Sequence, residues 1–386
     1  MTKPIRRRDF LRLAALGGSA AVTAFLQACA DAGIDPATVA PTIALPTPTT
    51  APVQPTADTS PTLVPQEPTM TAPLPTAVPT QTAQDGTARI AFVKTTDRAA
   101  GVRQAVELLG INPVAEKSVF LKPNFNSADP APGSTHPEVL AALVAMLKEM
   151  GASKITVGDR SGMGNTRQVM ETLGVLRQAE QMGFDTVIFD ELAAEDWVMV
   201  ETPAGHWQQG FPFARPVLDA GAVVQTCCLK THQYGGHFTL SLKNSVGLVG
   251  KRIQTVDHDF MNELHSSEHQ RRMIAEINAA YSPALVVMDG VDAFISGGPH
   301  RGELASPGVI LAGTDRVALD AVGIALLRHF GCRTQAAQGR IFDQEQIARA
   351  VELGLGVDTP EKIEFVTSDA DSAAYAETIK QALLAG

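Results

Sequence analysis

Short apolar runs and helical periodicities alternate along residues 89–386 of this chain. The runs at 90–93, 118–121, 154–157, 186–189, 222–228, 284–288, 308–312 and 363–366 have the length and content of strands. Between them, 98–109, 137–150, 168–173, 175–182, 262–280, 317–329, 344–353 and 373–384 read as helices, many with apolar residues three and four apart. The second of these has a marked start: Thr135 as N-cap, Pro137 in the first turn and Glu138 close behind. Residues 197–213 read as strands and turns, an antiparallel flap that carries both tryptophans. Strand, helix and strand in succession require parallel pairing and right-handed crossovers. The pattern predicts one large α/β domain over 88–386, with a mostly parallel sheet and helices on both faces.

Residues 1–87 follow a different pattern. Arg7-Arg8-Asp9-Phe10-Leu11-Arg12 is close to a twin-arginine export motif, and the apolar segment 13–26 is too short to span a bilayer. Leu26-Gln27-Ala28-Cys29 has the form of a lipoprotein cleavage box in which Cys29 is acylated. Residues 1–28 are therefore expected to be a signal peptide, and 29–87 a disordered Pro/Thr-rich linker. Twelve of the 25 prolines fall in 36–79, and proline lacks the N–H that ladders and helices need, so this stretch is expected to be an extended spacer. The expected location is the outer face of the cytoplasmic membrane or the cell surface, held by the N-terminal lipid alone.

Charge and cysteine usage narrow the function classes. The formal net charge is −10, and residues 1–28 hold a net +4, so the remainder carries about −14. Such a chain lacks the lysine and arginine needed to displace counterions from nucleic acid, which is excluded as a partner. Cys29, the adjacent Cys227 and Cys228, and Cys332 make neither a disulfide framework nor a ligand set for an iron–sulfur cluster, so no cluster is expected. The three beyond Cys29 read as packing residues.

Candidate chemistry concentrates in residues 229–252. The run 222–228 leads into Lys230, Thr231 and His232, then Gly235, Gly236 and His237. Residues 239–249 then place Leu240, Lys243, Asn244 and Gly247 at helical spacing. Strand, glycine loop, helix is the arrangement by which open α/β sheets bind ligands, and a helix N-terminus favours anions. The competing reading is a solvated basic loop. Other polar groups fall at expected strand ends: Lys122 with Asn124 and Asn126, Asp159 with Arg160, and Asp289. Parallel neighbouring strands would open all of these on one edge. The alternative is that Asn124, Asp159 and Asp289 merely cap turns. Five of the nine histidines lie in 232–269, and His232, His237, His258 and His265 form a candidate set for a divalent metal. Residues 265–269 also spell an inverted zinc-protease string, but the fold context that motif needs is different.

Six separated motifs together carry a family resemblance. They are Lys122-Pro123-Asn124; Thr135-His136-Pro137-Glu138; Val157-Gly158-Asp159; Leu229-Lys230-Thr231-His232; Leu242-Lys243-Asn244 with Gly247; and Ala312-Gly313-Thr314-Asp315 with Asp320. In this order they resemble the family called domain of unknown function 362, over roughly 89–386. Many relatives carry ferredoxin-like cysteine runs, which this chain lacks. The resemblance implies an α/β fold and adds His136 to the candidate ligand-binding residues; it fixes no reaction.

The leading reading is an exported, lipid-anchored protein that binds, and converts if it is an enzyme, a small anionic ligand. Lys230 and Lys243 would neutralise the anion and His232 would act as acid, base or ligand. Lys122, Asn124, Asn126, His136, Asp159, Asn244 and Asp289 would complete the cleft. A metal-dependent enzyme using the histidine cluster and a non-catalytic solute-binding or surface module stand as alternatives. Two substitutions test the location: Cys29→Ala should move the protein from the membrane to the soluble fraction, and replacing Arg7 and Arg8 by Lys should leave precursor in the cytoplasm. Fractionation that keeps the Cys29→Ala protein membrane-bound would rule out the lipid anchor.

Overall fold

A computed structural model describes residues 86–202 and 204–386. The expected signal peptide, Cys29 and nearly all of the linker lie outside the described residues. In chain order the strands are β1 (Ala88–Lys94), β2 (Ser118–Lys122), β3 (Lys154–Asp159), β4 (Asp185–Ile188), β5 (Trp197–Val200) and β6 (Phe211–Ala214). They continue as β7 (Ala222–His232), β8 (His237–Thr239), β9 (Leu285–Gly297), β10 (Gly302–Ala305), β11 (Val309–Gly313) and β12 (Ile363–Val366).

The main sheet runs β12-β1-β11-β9-β7-β2-β3-β4, with β10 paired to β9 and β8 to β7. From β9 to β4 every neighbour along that path is parallel. Strand β11 alone is reversed within it, antiparallel to both β1 and β9. The domain is thus α/β with a mostly parallel sheet flanked by helices. The reversal has a local consequence: Asp315 leaves β11 on the edge opposite the other strand ends, where it caps the next helix through Ala318 N (2.9 Å).

Side chains alternate across each strand and divide the core. Ile90, Phe92, Met288 and Leu311 pack beneath the helices Arg316–His329 and Ala370–Ala385. Ala91, Val93, Val287 and Ile310 face the helices Arg98–Leu109 and Pro137–Glu149. A third cluster joins Phe120 and Val223 to the β5–β6 flap and to the helices Phe260–Ser266 and Gln270–Ile277. Helix Arg316–His329 is buried from Arg316 to Leu327, so it reads as apolar nearly all round.

Strand β7 runs to His232, so Lys230 and His232 stand at its end as expected. Two segments depart from the sequence pattern. The expected helix at 239–249 is one helical turn, Ser241–Asn244, followed by a 3₁₀ turn, Ser245–Leu248. The Arg160 guanidinium donates to the carbonyls of Val246 and Val249, both at 2.7 Å, and so satisfies the end of this segment. The expected helix at 262–280 is interrupted at Ser267, whose backbone is extended. A smaller shift moves the N-cap expected at Thr135 to His136, while Thr135 Oγ1 accepts from Asn124 N at 2.8 Å.

The short turn Ser241–Asn244 is held by Asp320, whose two carboxylate oxygens accept from Ser241 N (2.7 Å) and Leu242 N (2.9 Å). Burial pushes the Asp320 carboxyl up to about 7, against the pull of those two donors. Above that pH it is the carboxylate. Asp320→Asn would set an amide donor against one of the N–H groups and is expected to cost about 1–3 kcal/mol. Urea unfolding at about pH 8 checks this; a variant as stable as the parent would remove Asp320 as the anchor of the turn.

Candidate functional site

Strands β7, β2 and β3 lie side by side and point the same way, so their last residues form a row at one sheet edge. Lys122 ends β2 and Asp159 ends β3; their side chains pair at 2.9 Å, both fully buried. Asp159 also accepts from Phe125 N and Arg160 N, both at 2.7 Å. Burial pushes the Asp159 carboxyl up and the Lys122 amine down, while the mutual attraction and the backbone donors pull both back toward the charged pair.

From this pair a chain of buried hydrogen bonds crosses the sheet edge. Asn244 Oδ1 accepts from Lys122 Nζ (3.0 Å) and Asn124 Nδ2 (3.1 Å), and Asn244 Nδ2 donates to Thr226 O (3.0 Å). Asn124 Oδ1 in turn accepts from Lys230 Nζ (2.7 Å), which also donates to Gly133 O (2.6 Å). Burial lowers Lys230 to about 8. Gly247 is required here, since a Cβ would stand 2.2 Å from Asp159 Oδ1.

In front of this network is a cavity of about 690 Å³, bounded by Arg160, His232, Lys243, Lys251 and His265 among others. Lys243 is only 7% exposed, and its side-chain amine has no hydrogen-bond or ion-pair partner among the described residues. Burial first, then Lys230 and Arg160, lower its amine to about 7. His232 is equally buried, its Nδ1 has no partner, and burial with the nearby cations holds the ring well below its ordinary range, hence neutral. Gly236 is where the two meet: a Cβ there would lie 2.4 Å from Lys243 Cε and 3.0 Å from His232 Nδ1. Asn126 Nδ2 and Thr239 Oγ1, on the same walls, are also buried without partners. Such orphan polar atoms are rare in folded proteins, and three residues of this cavity, His232, Asn126 and Thr239, carry them.

The structure thus brings Lys122, Asn124, Asn126, Asp159, His232, Lys243 and Asn244 to one cavity, with Lys230 directly behind it. It does not bring His136 or Asp289 there. His136 caps its helix through Glu138 N (3.2 Å), and Asp289 pairs with Arg98 (2.9 Å). The candidate metal set is corrected too. His258 Nε2 is engaged by Glu263 (2.6 Å), and the His265 Nδ1–H donates to Met261 O (2.7 Å). His237 lies off the cavity, and among the described residues no group of three or more His, Cys, Asp or Glu side chains could hold a metal ion. Cys227 and Cys228 are buried, with the Cys228 thiol pushed up to about 11, so they are neutral packing groups. Sequence reasoning missed Lys251, Thr239, Tyr234 and Met163 as cavity walls; only the basic pair Lys251-Arg252 carried a signal.

Residues 119–325 match the family described as Domain of unknown function (DUF362). The chain belongs to that family. The match encloses every residue that lines the cavity. A curated relative of this DUF362 chain is the thylakoid-associated protein sll1697 of Synechocystis sp., 28% identical over 228 residues, 58% of this chain and 67% of that one. A solved structure, the lactate racemase apoprotein from Thermoanaerobacterium thermosaccharolyticum, overlaps 65% of this chain at 15% identity and a TM-score of 0.34. The chain spans 59% of that protein's length, and the likeness carries no inference about chemistry.

The lowered Lys243 has a stability signature. From about pH 7 to its ordinary 10.5 the unfolded chain binds a proton that the folded chain does not. The parent's stability therefore rises with pH across that window and is lost as pH falls through about 7. Lys243→Met removes the titration, so the variant's stability relative to the parent should be highest at about pH 6.5 and fall by roughly 1.4 kcal/mol per pH unit from about pH 7 to about pH 9. Paired urea melts at the two pH values measure this; a variant uniformly less stable would show that Lys243 is a structural residue.

Proposed function

We propose that the cavity binds a small anion bearing a carboxylate or phosphate group, and that this is the task of the domain. Lys243 carries the reading: a buried amine at a cavity wall, with no internal partner. The carboxylates on the walls are already taken, Asp159 by Lys122 and Asp259 by Arg252 at 2.7 Å. Arg160 and Lys251 have no carboxylate within ion-pair distance among the described residues, so the walls hold an excess of positive charge. An anion would relieve it. The volume suits a metabolite-sized ligand. A larger open groove of about 800 Å³ at the opposite strand ends lacks this feature, because Lys154 there is paired with Asp185.

We further propose that the domain works outside the cytoplasm on an N-terminal lipid anchor. Support comes from the order of the twin-arginine motif, the apolar segment and Cys29.

Thermal melting with phosphate, acetate, lactate and succinate tests the binding reading. At a hundred times Kd, a bound anion should stabilise the parent by about 2.7 kcal/mol. Lys243→Ala should lose the shift. Gly236→Ala should lose it as well, because its methyl displaces the Lys243 side chain while the charge remains. Shifts that persist in both variants, or no shift in the parent with any of the four anions, would defeat the proposal.

A further inference from the structure

Three lysines share this buried edge, and they are not treated alike. Lys122 Nζ is held by Asp159, Asn244 and the Pro123 carbonyl. Lys230 Nζ is held by Asn124 and the Gly133 carbonyl. Each is fixed as a hydrogen-bond donor and serves as a point charge. Lys243 Nζ has no acceptor, although it lies within the same polar surroundings and opens on the cavity. A lysine kept only as a counter-ion gains from acceptors that hold it protonated. Their absence is what leaves a lone pair free.

We propose that Lys243 is an imine-forming amine and that its ligand is a 2-oxo acid. The carboxylate of such a ligand would lie toward Lys251 and the Arg160 charge, and its carbonyl carbon would meet Lys243 Nζ. This rests on the anion-binding reading above and names the class of anion. His232 supplies the second group the reaction needs. Its Nδ1 is buried without a partner and lies against Gly236, as does the Lys243 side chain. The neutral lone pair of Lys243 attacks the carbonyl carbon, forming the C–N bond and moving a carbonyl electron pair onto oxygen. The His232 imidazole takes a proton from the new ammonium centre while the alkoxide takes one from solvent. The imidazolium then returns its proton to the carbinolamine hydroxyl, which leaves as water as C=N forms. Amine, carbonyl and one solvent proton thus give iminium and water; the water carries the solvent proton and one amine proton, the other amine proton stays on nitrogen, and no oxidant or reductant takes part. Near pH 7 the His232 ring is neutral and the Lys243 amine is part neutral, which suits these roles. Competing lysines at the surface are solvated or paired, as Lys154 and Lys362 are.

The test is reductive trapping. The 386-residue protein is incubated with pyruvate and cyanoborohydride, then analysed by intact mass and peptide mapping. The expected result is one reduced pyruvyl group per chain, on Lys243, suppressed by excess lactate, which offers the carboxylate without the carbonyl. Lys243→Arg should lose the adduct. If lactate shifts the melt but the adduct sits on surface lysines or nowhere, the imine proposal is overturned and anion binding stands. If lactate, phosphate and pyruvate neither shift the melt nor give an adduct, both fail. Mapping on the parent protein keeps the proposal open to refutation even if Lys243→Arg does not fold.

Discussion

The site depends on the ion pair between Lys122 and Asp159. Both charges are out of water, which costs several kcal/mol per ion unless geometry and further hydrogen bonds offset it. Here they do: Asp159 gains two backbone donors and Lys122 gains two oxygen acceptors besides its partner. Because the two residues end adjacent parallel strands, the pair fixes the strand ends in register. Its leftover proton then positions Asn244, Asn244 positions Asn124, and Asn124 positions Lys230. Removing either member of the pair leaves the other charge buried and alone, a loss of about 3–5 kcal/mol.

Satisfaction inside the network sharpens the contrast with its cavity face. Lys122, Lys230, Asn124 and Asn244 use their polar groups on one another. His232, Asn126 and Thr239 leave buried groups unpaired, and the Lys243 amine has no partner among the described residues. Most buried polar groups in folded proteins are paired, so unpaired ones gathered on one wall mark a surface arranged for something other than folding. The rigid half holds the geometry and the unpaired half is left to meet a ligand.

Much of this was legible in the sequence, because it rested on period and on strand ends. Alternating runs gave the α/β class, and residues following apolar runs located Lys122, Asp159 and Lys230 on one edge once the strands proved parallel. What failed was decided by contacts that periodicity does not show, some from distant chain and some from a few residues away. Periodicity at 239–249 matched a helix, but only one turn forms, held by Asp320 far away in sequence. His258 and His265 looked like ligands by spacing, yet Glu263 and the Met261 carbonyl occupy them. Asp289 was expected at a strand end, but β9 runs on to Gly297, and Arg98 from a helix pairs with the aspartate inside the strand. His136 was taken from the family motif, and its ring is used at home as a helix cap.

The separation of the joined residues bears on how the molecule assembles. The bond from Lys122 to Asn244 spans 122 residues and that from Lys230 to Asn124 spans 106. Links of such reach close large loops, and they form slowly because the chain must first give up the entropy of those loops. No short segment can hold a partial version of the cavity; it exists only when strands β2, β3 and β7 and the turn after β8 have all docked. Occupation of the cavity would therefore act on the whole fold rather than on one loop, making a ligand a report on complete assembly.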